Sequence, residues 1–377
     1  MIARHLGDPR LRAYLWQALA LAAVVWLGAI VVGNTVANLE SRGIASGFGF
    51  LDRSAGFGVT MSLIPFGETS SFGRAFLVGL LNTLLVSALG IVLATALGFV
   101  IGIARLSPNW LVAKLAAAYV ETLRNIPLLL QLFFWYFAVL RALPAPRGSV
   151  DIGGLVFLNN RGLYLPVPIA APGTPEALTV VGVAILLAAA TAFRLGSPAA
   201  RHRVRLGCFA LIGLAVFWLV VSVGWDRPRL AGFNFRGGVS LIPEFVALVV
   251  ALSTYTASFI AEVVRAGLQS VPRGQIEASL ALGLSRRRTL RLVVVPQALR
   301  VIFPPLTNQY LNLTKNSSLA TAIAYPDLVS VFGGTVLNIT GQAVEVIAIT
   351  MAVYLAISLA IAFGMGRYNR AVAMRGT

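Results

Sequence analysis

The residues able to do chemistry in this chain are few, and their types suit binding and docking better than bond breaking. Glu277, Ala278 and Ser279 stand six residues or fewer ahead of Gly283, and a Val293-x-Val295-Pro296 run follows. Glu121 and Arg124, and again Glu262 and Arg265, place an acid and a base at i and i+3, the spacing that lets two side chains pair on one helix face. Asn308, Asn312 and Lys315 fall at i, i+4 and i+7 on one helical face, with Asn316, Ser317 and Ser318 next in line. An ammonium inside an apolar run is costly, so this stripe faces a cavity or a partner rather than lipid. It suits two uses: holding a carboxylate-bearing ligand, or hydrogen-bonding one helix to another. Other chemistry is missing. The single cysteine, Cys208, lies inside an apolar run, and the two histidines, His5 and His202, sit in basic polar segments, which leaves no disulfide framework and no metal set. Neither lysine, Lys114 or Lys315, follows a glycine, so no phosphate-binding loop of the Gly-x4-Gly-Lys type exists. With no paired carboxylates and no nucleophile motif, the reading is that the chain is not an enzyme.

The elements that carry these residues are membrane spans. Of 377 residues 58% are hydrophobic and 11% charged, and the mean hydropathy is +0.84, which describes a polytopic, all-α membrane protein rather than a soluble globule. The net charge of +17 does not indicate nucleic acid, because the basic residues sit in short loops between apolar runs. Eight runs are candidate spans, near Trp16–Ala37, Phe76–Ile103, Leu115–Leu140, Leu178–Phe193, Leu206–Gly224, Phe245–Ala261, Ile302–Ala322 and Ala343–Phe363. The first lacks a small-residue cleavage site and reads as a retained anchor. An N-terminus placed inside puts most of the cations, including the seven from Arg265 to Arg300, on the cytoplasmic side. The positive-inside rule then makes both termini and the 265–300 loop cytoplasmic.

That loop reads as two short helices. Pro272 presets a helix start, Gln275 to Leu282 favours helix, and Gly283 permits the left-handed turn that stops it. Ser285 can cap a second helix running through Arg286, Arg287 and Arg288 towards Pro296. An amphipathic hairpin lying on an anionic leaflet would explain the arginines, but not the Glu-to-Gly-to-Pro spacing.

With its Glu277-Ala278-Ser279, Gly283 and Val293-x-Val295-Pro296 spacing on a membrane-bounded loop, the stretch resembles the "EAA" loop of bacterial ATP-binding-cassette importer permeases. Ser279 stands where that family usually has Ala. The resemblance implies a MetI-like permease core, a coupling loop docking into a separate ATPase subunit that holds the ATP, and no cofactor in this chain. It implies docking at Glu277, Ala278 and Ser279, a turn at Gly283 that sets the angle between the loop helices, and rim contacts from Arg286, Arg287 and Arg288. Gly79-Leu80-Leu81-Asn82-Thr83-Leu84 and Glu121-Thr122-Leu123-Arg124-Asn125-Ile126-Pro127 are similar to the polar-amino-acid branch, and Phe157-Leu158-Asn159-Asn160-Arg161-Gly162 looks like the general L-amino-acid permeases. The implied partners are an ABC ATPase, a second homologous permease subunit, a periplasmic amino-acid-binding protein, L-amino acids and membrane lipid. A substrate pathway would then involve Asn308, Asn312, Lys315, Asn316, Ser317, Glu121 and Arg124, although Asn316 stands where the family usually shows Asp.

The segments are 1–75 (cytoplasmic tail, first span, outer loop), 76–141 (first part of the core), 142–242 (an insertion with an outer loop and two spans), 243–366 (second part, with the coupling loop at about 265–300) and 367–377 (cytoplasmic tail). Pro127 is expected to kink the third span. An outer Gly47-Phe48-Gly49-Phe50 and Ser62-Leu63-Ile64-Pro65 pattern recurs as Gly232-Phe233-Asn234-Phe235 and Ser240-Leu241-Ile242-Pro243, either as interfacial anchors or as a platform for a partner. The competing class, an ion-coupled secondary amino-acid transporter, calls for acidic residues near mid-membrane. Glu121, Glu262 and Glu345 instead lie near the ends of their runs.

Overall fold

The computed structural model describes residues 9–41, 47–169 and 224–374, with isolated positions between 170 and 223. The helices in chain order are α1 (Pro9–Ser41), α2 (Phe72–Ala104), α3 (Trp110–Asn125) and α4 (Leu128–Phe133), the last prolonged by a π-helical stretch over Phe134–Leu140. Eight short strands follow: β1 (Val150–Ile152), β2 (Val156–Asn159), β3 (Gly162–Leu165), β4 (Val167–Ile169), β5 (Gly224–Asp226), β6 (Arg229–Ala231), β7 (Asn234–Arg236) and β8 (Val239–Leu241). Then come α5 (Pro243–Gln269), α6 (Arg273–Ala281), α7 (Arg286–Thr289), α8 (Val295–Asn316), α9 (Leu337–Thr340) and α10 (Ala343–Met374).

Five described helices are long and apolar enough to cross a membrane, and six spans result if α3 and α4 with its extension count as one. The expected runs at Leu178–Phe193 and Leu206–Gly224 lie outside the described residues. The third run is broken, not merely kinked. Proline disfavours the helical region for the residue before it; Ile126 is extended, at φ −92° and ψ 126°, and α3 stops at Asn125. Helix α1 is apolar on all sides, and nearly every described side chain on it is exposed, the character of a helix solvated by lipid.

The chain separates into two compact units, Met1–Ile126 with Leu252–Thr377, and Pro127–Ala251; the segment boundaries expected at 142 and 242 fall inside the second. In the first unit, α2 begins at Ser71, whose hydroxyl accepts the Arg74 N–H at 3.2 Å. Small residues on α2 mark the places where other segments come close to it. A Cβ at Gly98 would sit 2.6 Å from the Ile260 side chain, one at Gly102 2.7 Å from the Ala261 carbonyl, and one at Gly79 2.9 Å from Leu328 Cα. Only small side chains let helices approach this closely, which is how spans attract one another where lipid removes the hydrophobic drive. Asn82 donates to the Met61 and Pro326 carbonyls at 2.8 Å, and the Thr83 hydroxyl accepts the Leu328 N–H at 3.0 Å. The Gly79–Asn82–Thr83 motif therefore fastens the 325–328 turn to α2. Phe50, Phe72 and Phe332 form an aromatic cluster with Phe76 at its edge.

The second unit contains the strands, a structured form of what reads in sequence as an outer loop. β1, β2, β3 and β8 form one antiparallel sheet in that order; β4 pairs with β5 and β6 with β7. Gly162, at φ +128°, has no room for a side chain, since a Cβ would lie 2.1 Å from the Leu241 carbonyl oxygen. The recurring Phe pattern has a packing basis in each copy. The second aromatic packs inward, Phe50 into the cluster above and Phe235 against Phe157 and Tyr164 at 4.7 Å, while Phe48 and Phe233 remain exposed.

Candidate functional site: the 265–300 loop and an adjoining polar cavity

The 265–300 loop begins where α5 ends. Pro272 starts α6, which runs nine residues. Gly283 adopts φ +81°, and the Leu284 N–H reaches back to the Ser279 carbonyl at 3.2 Å, closing the helix end with the left-handed cap that glycine permits. The two faces of α6 differ. Gly274, Glu277, Ala278 and Ala281, at i, i+3, i+4 and i+7, are all exposed, and Leu282 at the tip is 84% exposed. Ser279 is on the other side and only 5% exposed. Its hydroxyl donates to the Ile276 carbonyl at 2.7 Å and lies 3.0 Å from the Thr289 hydroxyl. Ser279 is therefore placed as a clip between α6 and α7 rather than on the free face with Glu277 and Ala278.

Arg286, Arg287 and Arg288 form α7 and are exposed. The helix does not end at Pro296. It passes through a π-helical stretch at Leu290–Val294 into α8, and Pro296, which has no N–H to give, lies just after that change in hydrogen-bond register. Arg286–Ile323 thus runs as one span-length element. Gly267 brings α5 against α8, since a Cβ there would sit 2.3 Å from the Ile302 side chain. The hairpin is accordingly braced by helices on both sides.

At the loop end of α5, Glu262 bridges two arginines. Arg105, just after α2, bonds to Glu262 Oε2, and Arg265 Nε donates to both carboxylate oxygens at 3.1 and 3.2 Å. This pairing occupies the side wall of a cavity of about 410 Å³ lined by Arg105, Val120, Glu121, Arg124, Asn125, Phe259 and Glu262. The Arg124 guanidinium sits over the Phe259 ring, 5.1 Å from its centroid, rather than pairing with Glu121. Tyr119 donates to the Thr254 carbonyl at 2.7 Å and fixes α3 against α5. The cavity therefore presents a carboxylate, a guanidinium, an amide and an aromatic face within one small volume, the elements needed to hold a zwitterion. Arg105 and Phe259 are members that sequence reading missed. Arg105 looks there like an ordinary loop cation, and Phe259 like one more apolar residue of a span.

The structure brings Glu121 and Arg124 together in this cavity but leaves the α8 stripe elsewhere. Asn308, Asn312 and Lys315 are exposed, Asn316 is half-buried, and Ser317 is buried with its hydroxyl on the Thr314 carbonyl. Lys315 lines a separate groove with Ser318, Thr350, Tyr354 and Ser358. Asp327, also overlooked in the sequence, is fully buried and accepts the Ser330 N–H at 2.8 Å, while Glu345 accepts the Gly47 N–H at 2.7 Å. Both bonds tie backbone segments together. No group of three or more His, Cys, Asp or Glu able to hold a metal occurs among the described residues.

Comparison with known proteins identifies the family of the chain. Residues 90–373 match the family described as "Binding-protein-dependent transport system inner membrane component". YhdX of Escherichia coli K12, named as an amino-acid ABC transporter permease protein, is 55% identical over 98% of this chain and 96% of its own. The general L-amino acid transport system permease protein AapQ of Rhizobium johnstonii is 48% identical over 97% and 94%. The glutamate/glutamine/aspartate/asparagine transport system permease protein BztB of Rhodobacter capsulatus is 40% identical over 98% and 95%. An apolar bundle with no nucleotide loop of its own, a braced hairpin with one free face, and a match over most of its length together assign this chain to the binding-protein-dependent inner membrane transport components, integral membrane permeases that work with an ATPase and a binding protein.

Proposed function

We propose that this chain is one permease subunit of an ATP-driven importer of L-amino acids, with its termini and the 265–300 loop in the cytoplasm and the strand-bearing segment on the periplasmic side. One observation carries the reading: the nine-residue α6 exposes Gly274, Glu277, Ala278 and Ala281 along one face, and its other face is clipped to the rod that becomes α8. An ATPase seated on Glu277, Ala278, Ala281 and Leu282 would push on α7 and α8 together, with Arg286, Arg287 and Arg288 at the rim. Gly283 sets the angle between α6 and that rod. The permease breaks no covalent bond. Transport follows from an ATPase that favours one of two conformations and a substrate bound differently in each.

A periplasmic amino-acid-binding protein would deliver substrate, and a second, homologous permease would cover the exposed Asn308–Asn312–Lys315 stripe with Asn316 and Ser317 near its end. A polar stripe exposed on a span is costly in lipid, which is the reason for giving it a protein partner. The polar cavity supports the substrate class. Glu121 can take an α-ammonium and Arg124 a carboxylate, and a volume near 400 Å³ suits a small amphoteric ligand.

The test is Glu277→Lys in the complete importer, reconstituted with and without its ATPase. Membrane insertion is expected to be unchanged, while co-purification of the ATPase and ATP-driven uptake are lost. Uptake at the wild-type rate would remove the docking role, and uptake driven by an ion gradient without the ATPase would remove the importer reading.

A further inference from the structure

Beneath the hairpin lies a cavity of about 840 Å³, bounded by the end of α2, the start of α3, α5, α6 and α7. Its wall is almost wholly hydrocarbon, with Val100, Ile103, Leu268, Ile276 and Leu280 among the contributors. Three polar side chains reach it, and two are already engaged. Thr289 faces the Ser279 hydroxyl, and Ser107 accepts the Asn109 N–H. The third is Arg286, which makes no ion pair among the described residues. An apolar hollow with a single unpaired cation at its edge is complementary to an amphiphile carrying one negative charge.

Position supplies the source. Val100 and Ile103 belong to the last turns of a span and are exposed, as is Leu290 just beyond α7. The cavity wall therefore continues into the lipid-facing surface, and an acyl chain can enter sideways without leaving hydrocarbon. The hairpin around it carries Arg273, Arg286, Arg287, Arg288 and Arg291 against one acid, Glu277, a balance that concentrates anionic lipid at a membrane surface.

We infer that this cavity is a binding site for an anionic phospholipid of the loop-side leaflet, its acyl chain against Val100, Ile103, Ile276 and Leu280 and its phosphate on Arg286. The occupant lies under the inner face of α6, the face opposite Glu277, so it fills the hollow on which the hairpin rests. The inference depends on membrane placement, not on the substrate or on which way round the chain sits. Its test reads lipid contact rather than transport, so it can fail while the importer reading stands.

The experiment uses the whole permease–ATPase complex in nanodiscs of phosphatidylcholine and phosphatidylglycerol in equal parts. A trace of phosphatidylglycerol or phosphatidylcholine bears a photoreactive group on its acyl chain. Peptides covering 100–112 and 276–294 are expected to be labelled by the phosphatidylglycerol probe well above the lipid-exposed stretch Leu355–Phe363. Arg286→Met should lower that labelling about fivefold, the effect of one surface cation on an anionic lipid, and leave labelling by the phosphatidylcholine probe unchanged. Leu280→Trp, which fills the hollow, should lower labelling by both probes. Labelling no higher than at Leu355–Phe363, or unaltered by Leu280→Trp, would overturn the site. Equal labelling by the two lipids, or indifference to Arg286→Met, would overturn its charge selectivity.

Discussion

Glu262 offers the sharpest quantitative test of how the loop end of the bundle is held. Its carboxylate binds Arg105 and Arg265, and the side chains are 16%, 27% and 29% exposed for Arg105, Glu262 and Arg265. Glu262→Gln keeps the shape and removes the charge, so two guanidinium groups face each other without their anion. A hydrogen bond to a charged group contributes about 1.5–3 kcal/mol when protected from water. Partial exposure at the water-facing end of a span lowers this, so the two contacts together are worth about 2–3 kcal/mol. That loss corresponds to a fall of roughly 3–6 °C in apparent Tm for a unit of this size. The assay is thermal unfolding of the complex in nanodiscs at a fixed scan rate, run as a double-mutant cycle with Arg105→Met. If the carboxylate truly joins α2 to α5, the pair should couple by at least about 1 kcal/mol. Strictly additive effects, or an unchanged Tm in Glu262→Gln, would show that the contact is a surface pair of no consequence and that the glycine seam alone holds these helices.

Two further substitutions separate conformation from packing. Gly283→Val forces a β-branched residue into φ +81° where no neighbouring atom lies within 4 Å, a purely conformational penalty of about 1–2 kcal/mol; ATP-driven uptake in proteoliposomes should fall severalfold, and Gly283→Asn, which tolerates that conformation, should recover most of it. Gly98→Ala places a methyl group 2.6 Å from the Ile260 side chain and should cost about 1–3 kcal/mol in unfolding measurements, whereas Gly28→Ala in α1, where nothing lies within 4 Å, should cost nothing.

Hydropathy was enough to place the five long described spans, because a helix in lipid must satisfy its backbone internally and an apolar run of that length does so as a helix; it did not show that the third run is broken at Ile126. The loop motif was equally legible. Pro272 and Gly283 act locally, one fixing φ and the other permitting a positive φ, so a helix start and stop can be read without knowing what surrounds them. What the sequence could not supply was anything that depends on which helix lies beside which. Nothing near Ser279 announces that its hydroxyl meets Thr289, ten residues away across a turn. Arg105 and Glu262 are 157 positions apart, and their pairing exists only because Gly98 and Gly102 let α2 come against α5. Likewise Glu121 and Arg124 look like a pair at i and i+3, yet Phe259 on another helix offers the guanidinium a ring face, and the two charges are left to line a cavity together. Sequence by itself settled an apolar bundle with a helical hairpin turned at Gly283, since local backbone chemistry and the cost of polar groups in lipid decide both. Which side chains close the hairpin, clamp the helix ends and furnish the cavities was decided only by tertiary packing, because those contacts arise from residues brought together by helices that touch where glycine leaves room.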